Sequence, residues 1–434
     1  MLSVLSSSSE EGRRLIDELG SRRFDLSSDK EDAVRDILEA VRDRGDDAIV
    51  EYTRRFDSEE FTASAITVTS REVEQAYDQV DYEFLRIIRK AIANVDEFHR
   101  RQVPNSWFMT RRDGSVLGQA VSPVDAAGLY VPGGTGGATP LVSSVIMNGV
   151  PARIAGVERI VLATPPGPGN RVSPHLLVTA SEVGVHEIYR MGSAWAIGAM
   201  VFGTDTVKPV NVVVGPGNIF VTLAKKLVSG MVGIDMVAGP SEVLVVADDS
   251  PDARHIAADL LSQAEHDPMA TAILVTTSDG LAQRVAEVIE ELLAGLERSD
   301  IARKSIENNG AIIVVPDLGE AARIVNSIGP EHLELAVREP WSLLPLIKNA
   351  GAIFMGEYTP EPVGDYIAGP NHVLPTMGTA KFASALGVET FLKRSSIISY
   401  SGDAFLRDAD DVISLAEIEG LTAHALSIKV RQAG

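Results

Sequence analysis

From about residue 158 onward, unbroken Val/Ile runs alternate with amphipathic stretches, and this alternation restricts the fold more than any other feature of the chain. Arg159-Ile-Val-Leu-Ala-Thr, Glu187-Ile-Tyr-Arg and Val210-Asn-Val-Val-Val read as strands, separated by helices over 172–183, 193–202 and 218–229. A second series follows, with strands Glu242–Ala247, Thr271–Thr276, Ala311–Val315, Leu333–Val337 and Ala352–Met355. Its helices span 252–266, 279–296 and 319–327. A strand that is apolar on both faces must be covered on both, so the pattern predicts parallel sheets between helical layers. Two such series predict two Rossmann-like, doubly wound α/β domains, with a ligand crevice near each switch point. Residues 8–102 read as mostly helical, 104–127 as strands and turns, and the tail beyond about 384 as a helical appendix.

Half of the eight histidines stand in short polar knots: Ser262-Gln263-Ala-Glu-His266-Asp, Gly329-Pro-Glu331-His332, Gly364-Asp365 through Asn371-His372, and Glu419-Gly-Leu-Thr-Ala-His424. Carboxylates with neutral imidazoles suit a borderline divalent metal, and they also move protons near neutral pH. Gln263 and His266 are three apart and share a helix face, so they can reach one ion; a plain capping histidine is the rival account. Asp365 offers an oxygen ligand or merely a turn residue. His332, beside Glu331, is a candidate general base, or a partly exposed strand start. Glu419 and His424 are five apart, which on one regular helix puts them roughly 140° apart. The glycine runs Val131-Pro-Gly-Gly-Thr-Gly-Gly and Gly215-Pro-Gly-Asn218 each precede a helical pattern and suit phosphate oxygens, although neither matches the G-x-G-x-x-G fingerprint.

Acidic residues number 60 against 39 basic, a balance of −21 that disfavours nucleic acid and anionic membranes as partners. No apolar run approaches the ~18 residues of a membrane span, and the N-terminus lacks a basic start, so a cytoplasmic location is expected. The chain has no cysteine. Oxidation of an aldehyde through a thiohemiacetal is therefore closed to it, and water would have to enter to form the hydrate.

Taken in order, these knots together with Gly128-Leu-Tyr130-Val-Pro-Gly-Gly, Ala238-Gly-Pro-Ser241-Glu and His372-Val-Leu-Pro-Thr resemble the histidinol dehydrogenase family over nearly the whole chain. The resemblance implies oxidation of L-histidinol to L-histidine with two NAD+, and one zinc ion per subunit held by Gln263, His266, Asp365 and His424. It also implies His332 as general base and Glu331 as activator of water, with Ser241, His372 and Glu419 on the substrate and Tyr130 and Asn218 on NAD. The zinc ligands and His332 would touch the substrate as well. A homodimer is implied, in which the C-terminal segment completes the partner's site. The matching organisation has an N-terminal helical segment over 1–25 and a first α/β domain over 26–127 and 239–383. A second α/β domain over 128–238 would contribute NAD contacts, and 384–434 would form the C-terminal segment. One departure stands out. Where the family usually carries a glutamine on NAD, this chain has Trp195, which can stack on a cofactor ring but cannot accept a hydrogen bond. Oxidation of a different polar alcohol, metal-dependent hydrolysis by Glu331, and metal or nucleotide binding without catalysis are the competing readings.

Overall fold

A computed structural model describes residues 2–22, 28–133 and 140–432. The chain forms two compact units, Met1–Gln102 with Asp125–Phe391, and Val103–Val124 with Leu392–Gly434.

The first unit contains two parallel sheets. One is built from β1 (Ser3–Ser6), β9 (Glu242–Ala247), β10 (Thr271–Thr276), β11 (Gly310–Val314), β12 (His332–Ala336) and β13 (Ala352–Met355), in the order β1-β11-β10-β9-β12-β13. The other takes β4 (Ala126–Tyr130), β5 (Arg159–Thr164), β6 (Glu187–Arg190), β7 (Val212–Val214) and β8 (Gly233–Ile234), in the order β6-β5-β4-β7-β8. In each sheet the chain winds outward in one direction and then returns to wind in the other. The order reverses between β9 and β12 in the first sheet and between β4 and β7 in the second, which is the doubly wound arrangement expected. β9 and β10 are buried along their whole length, which is why they read as continuous apolar runs.

Several boundaries differ from the sequence reading. The N-terminal segment, apart from Met1 and residues 23–25, which lie outside the described residues, opens with a strand that pairs with β11 before the helix Glu10–Ser21. The helices Ser28–Arg44 and Asp46–Phe56 do not pack on the sheet of 239–383. Val34, Ile37, Leu38, Val41 and Ile49 share a core with Tyr130, Val161, Ile197 and Val213 of the five-stranded half. Amphipathic spacing shows that one face of such a helix is buried, not which sheet covers it.

In the second unit, β2 (Trp107–Thr110), β3 (Val116–Pro123) and β14 (Leu392–Ser399) form an antiparallel sheet in the order β14-β3-β2, accompanied by the helices Gly402–Ile418 and Thr422–Gln432. The tail is thus strand then helices, not helical throughout. Among the described residues no helix is long and apolar enough to cross a membrane.

Candidate active site

His332 is the first residue of β12 and is 3% exposed, so it is not a partly exposed strand start. Its Nδ1 lies 3.0 Å from the carbonyl oxygen of Glu242, a group that can only accept, so Nδ1 carries the proton. Nε2 keeps the lone pair and is buried with no protein partner. The backbone N–H of the same Glu242 donates to Glu331 Oε2 at 2.8 Å. Both candidate catalytic side chains therefore hang from the peptide groups of one residue, at the β9/β12 switch point. Burial lowers the His332 pKa, and it pushes the Glu331 carboxyl well above the usual carboxylate range, with Glu242, Asp365 and Glu361 adding repulsion. Ser241 immediately precedes β9 on this same edge.

The helix Ala253–Ala264, which follows β9, runs back across the sheet and delivers Gln263 and His266 to the amino ends of the strands. Gln263 is buried, and its Oε1 has no hydrogen-bond partner. His266 is exposed; its Nδ1 sits 3.0 Å from Ser262 O and must donate there, leaving the Nε2 lone pair as the one that could reach an ion. A π-helical turn, Gly364–Ala368, carries Asp365. Such turns recur at functional sites because they widen the helix by one residue. Ligand atoms of His266, Glu361 and Asp365 all lie within 4.8 Å of one another. This donor set, with the orphaned Gln263 oxygen, fits a divalent cation.

Glu361 was not anticipated. It is 2% exposed, accepts from Ser262 Oγ at 3.1 Å through Oε2, and has a carboxylate oxygen within 4.8 Å of one of Asp365. Its backbone N–H donates to Glu334 Oε1 at 2.9 Å. Its only sequence signal is a position four before Asp365, one helical turn away. His372 Nδ1 lies 3.8 Å from Asp365 Oδ1 and is buried without a hydrogen bond; burial, then His332, lowers its pKa to about 4. Asp365 and His372 also line a cavity of about 340 Å³ walled by Phe98, Phe354, Leu374 and Leu386.

Glu419 and His424 belong to the second unit, and both are exposed. They are not on one helix. Glu419 ends Gly402–Ile418, Gly420 turns with φ +74°, and a new helix starts at Thr422. The awkward angular spacing of a continuous helix therefore does not apply.

Tyr130 ends β4 and Asn218 follows β7, at the carboxyl ends of the strands that flank the second switch point. Tyr130 is buried, which raises its phenol pKa, and its hydroxyl accepts the N–H of Ser193 at 3.0 Å. Asn218 caps the helix Ile219–Val228, accepting from Phe220 and Val221 through Oδ1, so its NH2 remains to donate. Gly134 to Gly137 of the first glycine run lie outside the described residues.

Trp195 is a core residue rather than an open stacking face. It is 3% exposed, packs on Tyr52 and Phe56 with ring centroids 5.8 and 5.7 Å away, and donates from Nε1 to Thr53 Oγ1 at 3.1 Å. Trp195→Gln is expected to destabilise the protein by on the order of 3 kcal/mol through the cavity it leaves. Urea unfolding measures this, and an unchanged midpoint would contradict the packing role.

Two Rossmann-like sheets with candidate chemistry gathered at their switch points define the class, an α/β dehydrogenase. A family model described as histidinol dehydrogenase matches residues 21–432, and the chain belongs to that family. The histidinol dehydrogenase of Desulfotalea psychrophila is 57% identical over 423 residues, 98% of each chain. That of Carboxydothermus hydrogenoformans is 53% identical over 411 residues, 95% of this chain and 96% of its own. The crystal structure of histidinol dehydrogenase from Elizabethkingia anophelis matches with a TM-score of 0.92 at 33% identity, covering 100% of this chain and 98% of that one.

Proposed function

We propose that this chain oxidises L-histidinol to L-histidine by way of L-histidinal, taking up one water and reducing two NAD+ in turn. The observation that carries this reading is the bare, buried Nε2 of His332, fixed in its tautomer by Glu242 and set beside Glu331. In the first oxidation His332 takes the hydroxyl proton at Nε2 while hydride leaves the carbinol carbon. In the second, Glu331 draws a proton from the water that adds to the aldehyde, a task suited to a carboxylate whose proton affinity is raised. As the water adds, His332 returns its first proton to the aldehyde oxygen, which makes the neutral hydrate and restores the free Nε2; it then accepts a hydrate hydroxyl proton as the second hydride departs. Bound NAD supplies the hydride acceptor, with Tyr130 and Asn218 presenting a hydroxyl and an amide to it.

Gln263, His266 and Asp365, with His424 of the partner subunit, would hold zinc. When bound, the ion supplies fixed points for the substrate's amino and imidazole nitrogens. Ser241 and His372, together with Glu419 of the partner subunit, would complete the substrate contacts. The large apolar side chains exposed on the second unit, among them Trp107, Phe108, Ile398, Leu415 and Ile418, support self-association into such a dimer.

The test is NADH formed per L-histidinol consumed. A ratio of two is expected. A ratio of one would mean that the aldehyde is released, and no NADH at all would overturn the reading.

A further inference from the structure

A second charged pair is buried away from the catalytic residues. Lys225 Nζ and Asp235 Oδ1 are 2.5 Å apart, with side chains 2% and 0% exposed. Lys225 lies on the helix Ile219–Val228, and Asp235 directly follows β8. An ion pair at that depth is a poor source of stability, since desolvation offsets the attraction and an apolar pair of like volume does as well. What distinguishes this pair is where its remaining hydrogen bonds go. Lys225 Nζ also donates to Gly215 O at 2.8 Å, and Asp235 Oδ2 accepts from Gly215 N at 2.8 Å. Opposite charges thus grip both backbone groups of a single residue, while Asp235 Oδ1 also takes the N–H of Met236 at 2.7 Å.

Gly215 opens the Gly-Pro-Gly turn that ends in Asn218. Its φ is +119°, and a Cβ there would lie 2.1 Å from Tyr130 O, so the turn is pressed onto the Tyr130 backbone at the switch point. The same helix ties down the segment beyond Asp235, since Thr222 Oγ1 donates to Ala238 O at 3.2 Å. That segment leads to Ser241.

We infer that Lys225 and Asp235 are positioning residues for the cofactor: together they clamp Gly215 so that the Asn218 amide and the Tyr130 hydroxyl are presented to NAD in one fixed arrangement. This rests on the reading of Tyr130 and Asn218 as NAD contacts. Neither charged side chain reaches the surface. They act through the turn, at the cost of burying two charges.

The experiment is a double-mutant cycle read by NADH binding to the purified full-length protein, with NADH fluorescence as the signal. Lys225→Met is expected to weaken NADH about tenfold and to leave the KM for L-histidinol within about twofold. Asn218→Ala should also weaken NADH. The double variant should bind little worse than Lys225→Met alone, because a loosened turn no longer holds Asn218 in place. Additive losses, or unchanged NADH affinity in Lys225→Met, would overturn the clamp. If Asn218→Ala weakens NADH and Lys225→Met does not, the clamp fails while the cofactor reading stands. If only Lys225→Met weakens it, the assignment of Asn218 fails and takes the proposed route with it. Should Lys225→Met not fold, Asp235→Asn keeps the volume and removes the charge, and the same cycle applies.

Discussion

Replacing His332 with alanine is expected to lower kcat for L-histidinol oxidation by about 10²–10⁴-fold, the range by which a positioned base accelerates such steps. Metal content and NADH affinity should stay near normal, because Nδ1 of His332 is engaged by the Glu242 carbonyl and Nε2 points to no protein group. Loss of metal in parallel with activity would make His332 a ligand and overturn its role as base. The wild-type pH profile carries the same information. Burial lowers the imidazole pKa below its ordinary value of 6.5, with the Glu361 carboxylate opposing, so the base is neutral at neutral pH. The acid limb of kcat/KM should therefore lie below pH 6.5. Mixing His332→Ala with His424→Ala protein should restore part of the activity through hybrid dimers, each holding one intact site. No recovery after verified subunit exchange would remove the shared site.

The carboxylates around Glu361 should make the metal-free protein lose stability as pH rises. Burial and then repulsion from Glu361 push Asp365 up to about 8, burial raises Asp259 to about 6, and Glu334 is raised by burial and by Asp259. For each group the folded pKa exceeds the unfolded one, so the folded state binds more protons, and stability falls as pH climbs through the gap. The window runs from about 4, the ordinary carboxylate value, to about 8. Thermal midpoints of chelated protein should drop across it, and added zinc should raise them more at pH 8 than at pH 5. Glu361→Gln should flatten the metal-free profile, since repulsion on Asp365 is relieved. The same variant should weaken zinc by about 10–100-fold, the usual loss when a group that orients a ligand is changed. A metal-free midpoint that is flat or rising over this range in wild-type protein would refute the account.

How much of this was legible depended on burial. β5, β6, β9 and β10 matched the sequence reading residue for residue, because a strand largely covered on both faces shows as an apolar run bounded by turn residues; β13 matched too, although only Phe354 of it is buried. β14 did not, since Lys393-Arg394-Ser-Ser is exposed and carries no alternation. The helix Val142–Ala155 showed only as an unbounded helical pattern after the first glycine run, for the opposite reason. It is buried nearly all round and includes Gly149 and Pro151, so it shows no amphipathic period. In the site, His332 and Glu331 were candidates by their chemistry, and their separate roles came only from the family resemblance. Glu361 was not, because no motif singles it out, and only its bonds with Ser262 and Glu334 and its nearness to Asp365 show how deeply it is set. Trp195 was legible as a substitution but not as a packing residue, since its partners Tyr52 and Phe56 come from a helix far away in sequence.

Ser241, Glu331 and His332 enter from the amino ends of β9 and β12, the rim opposite to the one most open α/β sheets use for ligands. The turns that leave β9, β10, β11 and β12 at Ala247, Thr276, Val314 and Ala336 hold none of the candidate residues. That far rim is where evolution or a protein engineer can lengthen a loop, graft a tag or recruit a new binding surface while the chemistry stays intact.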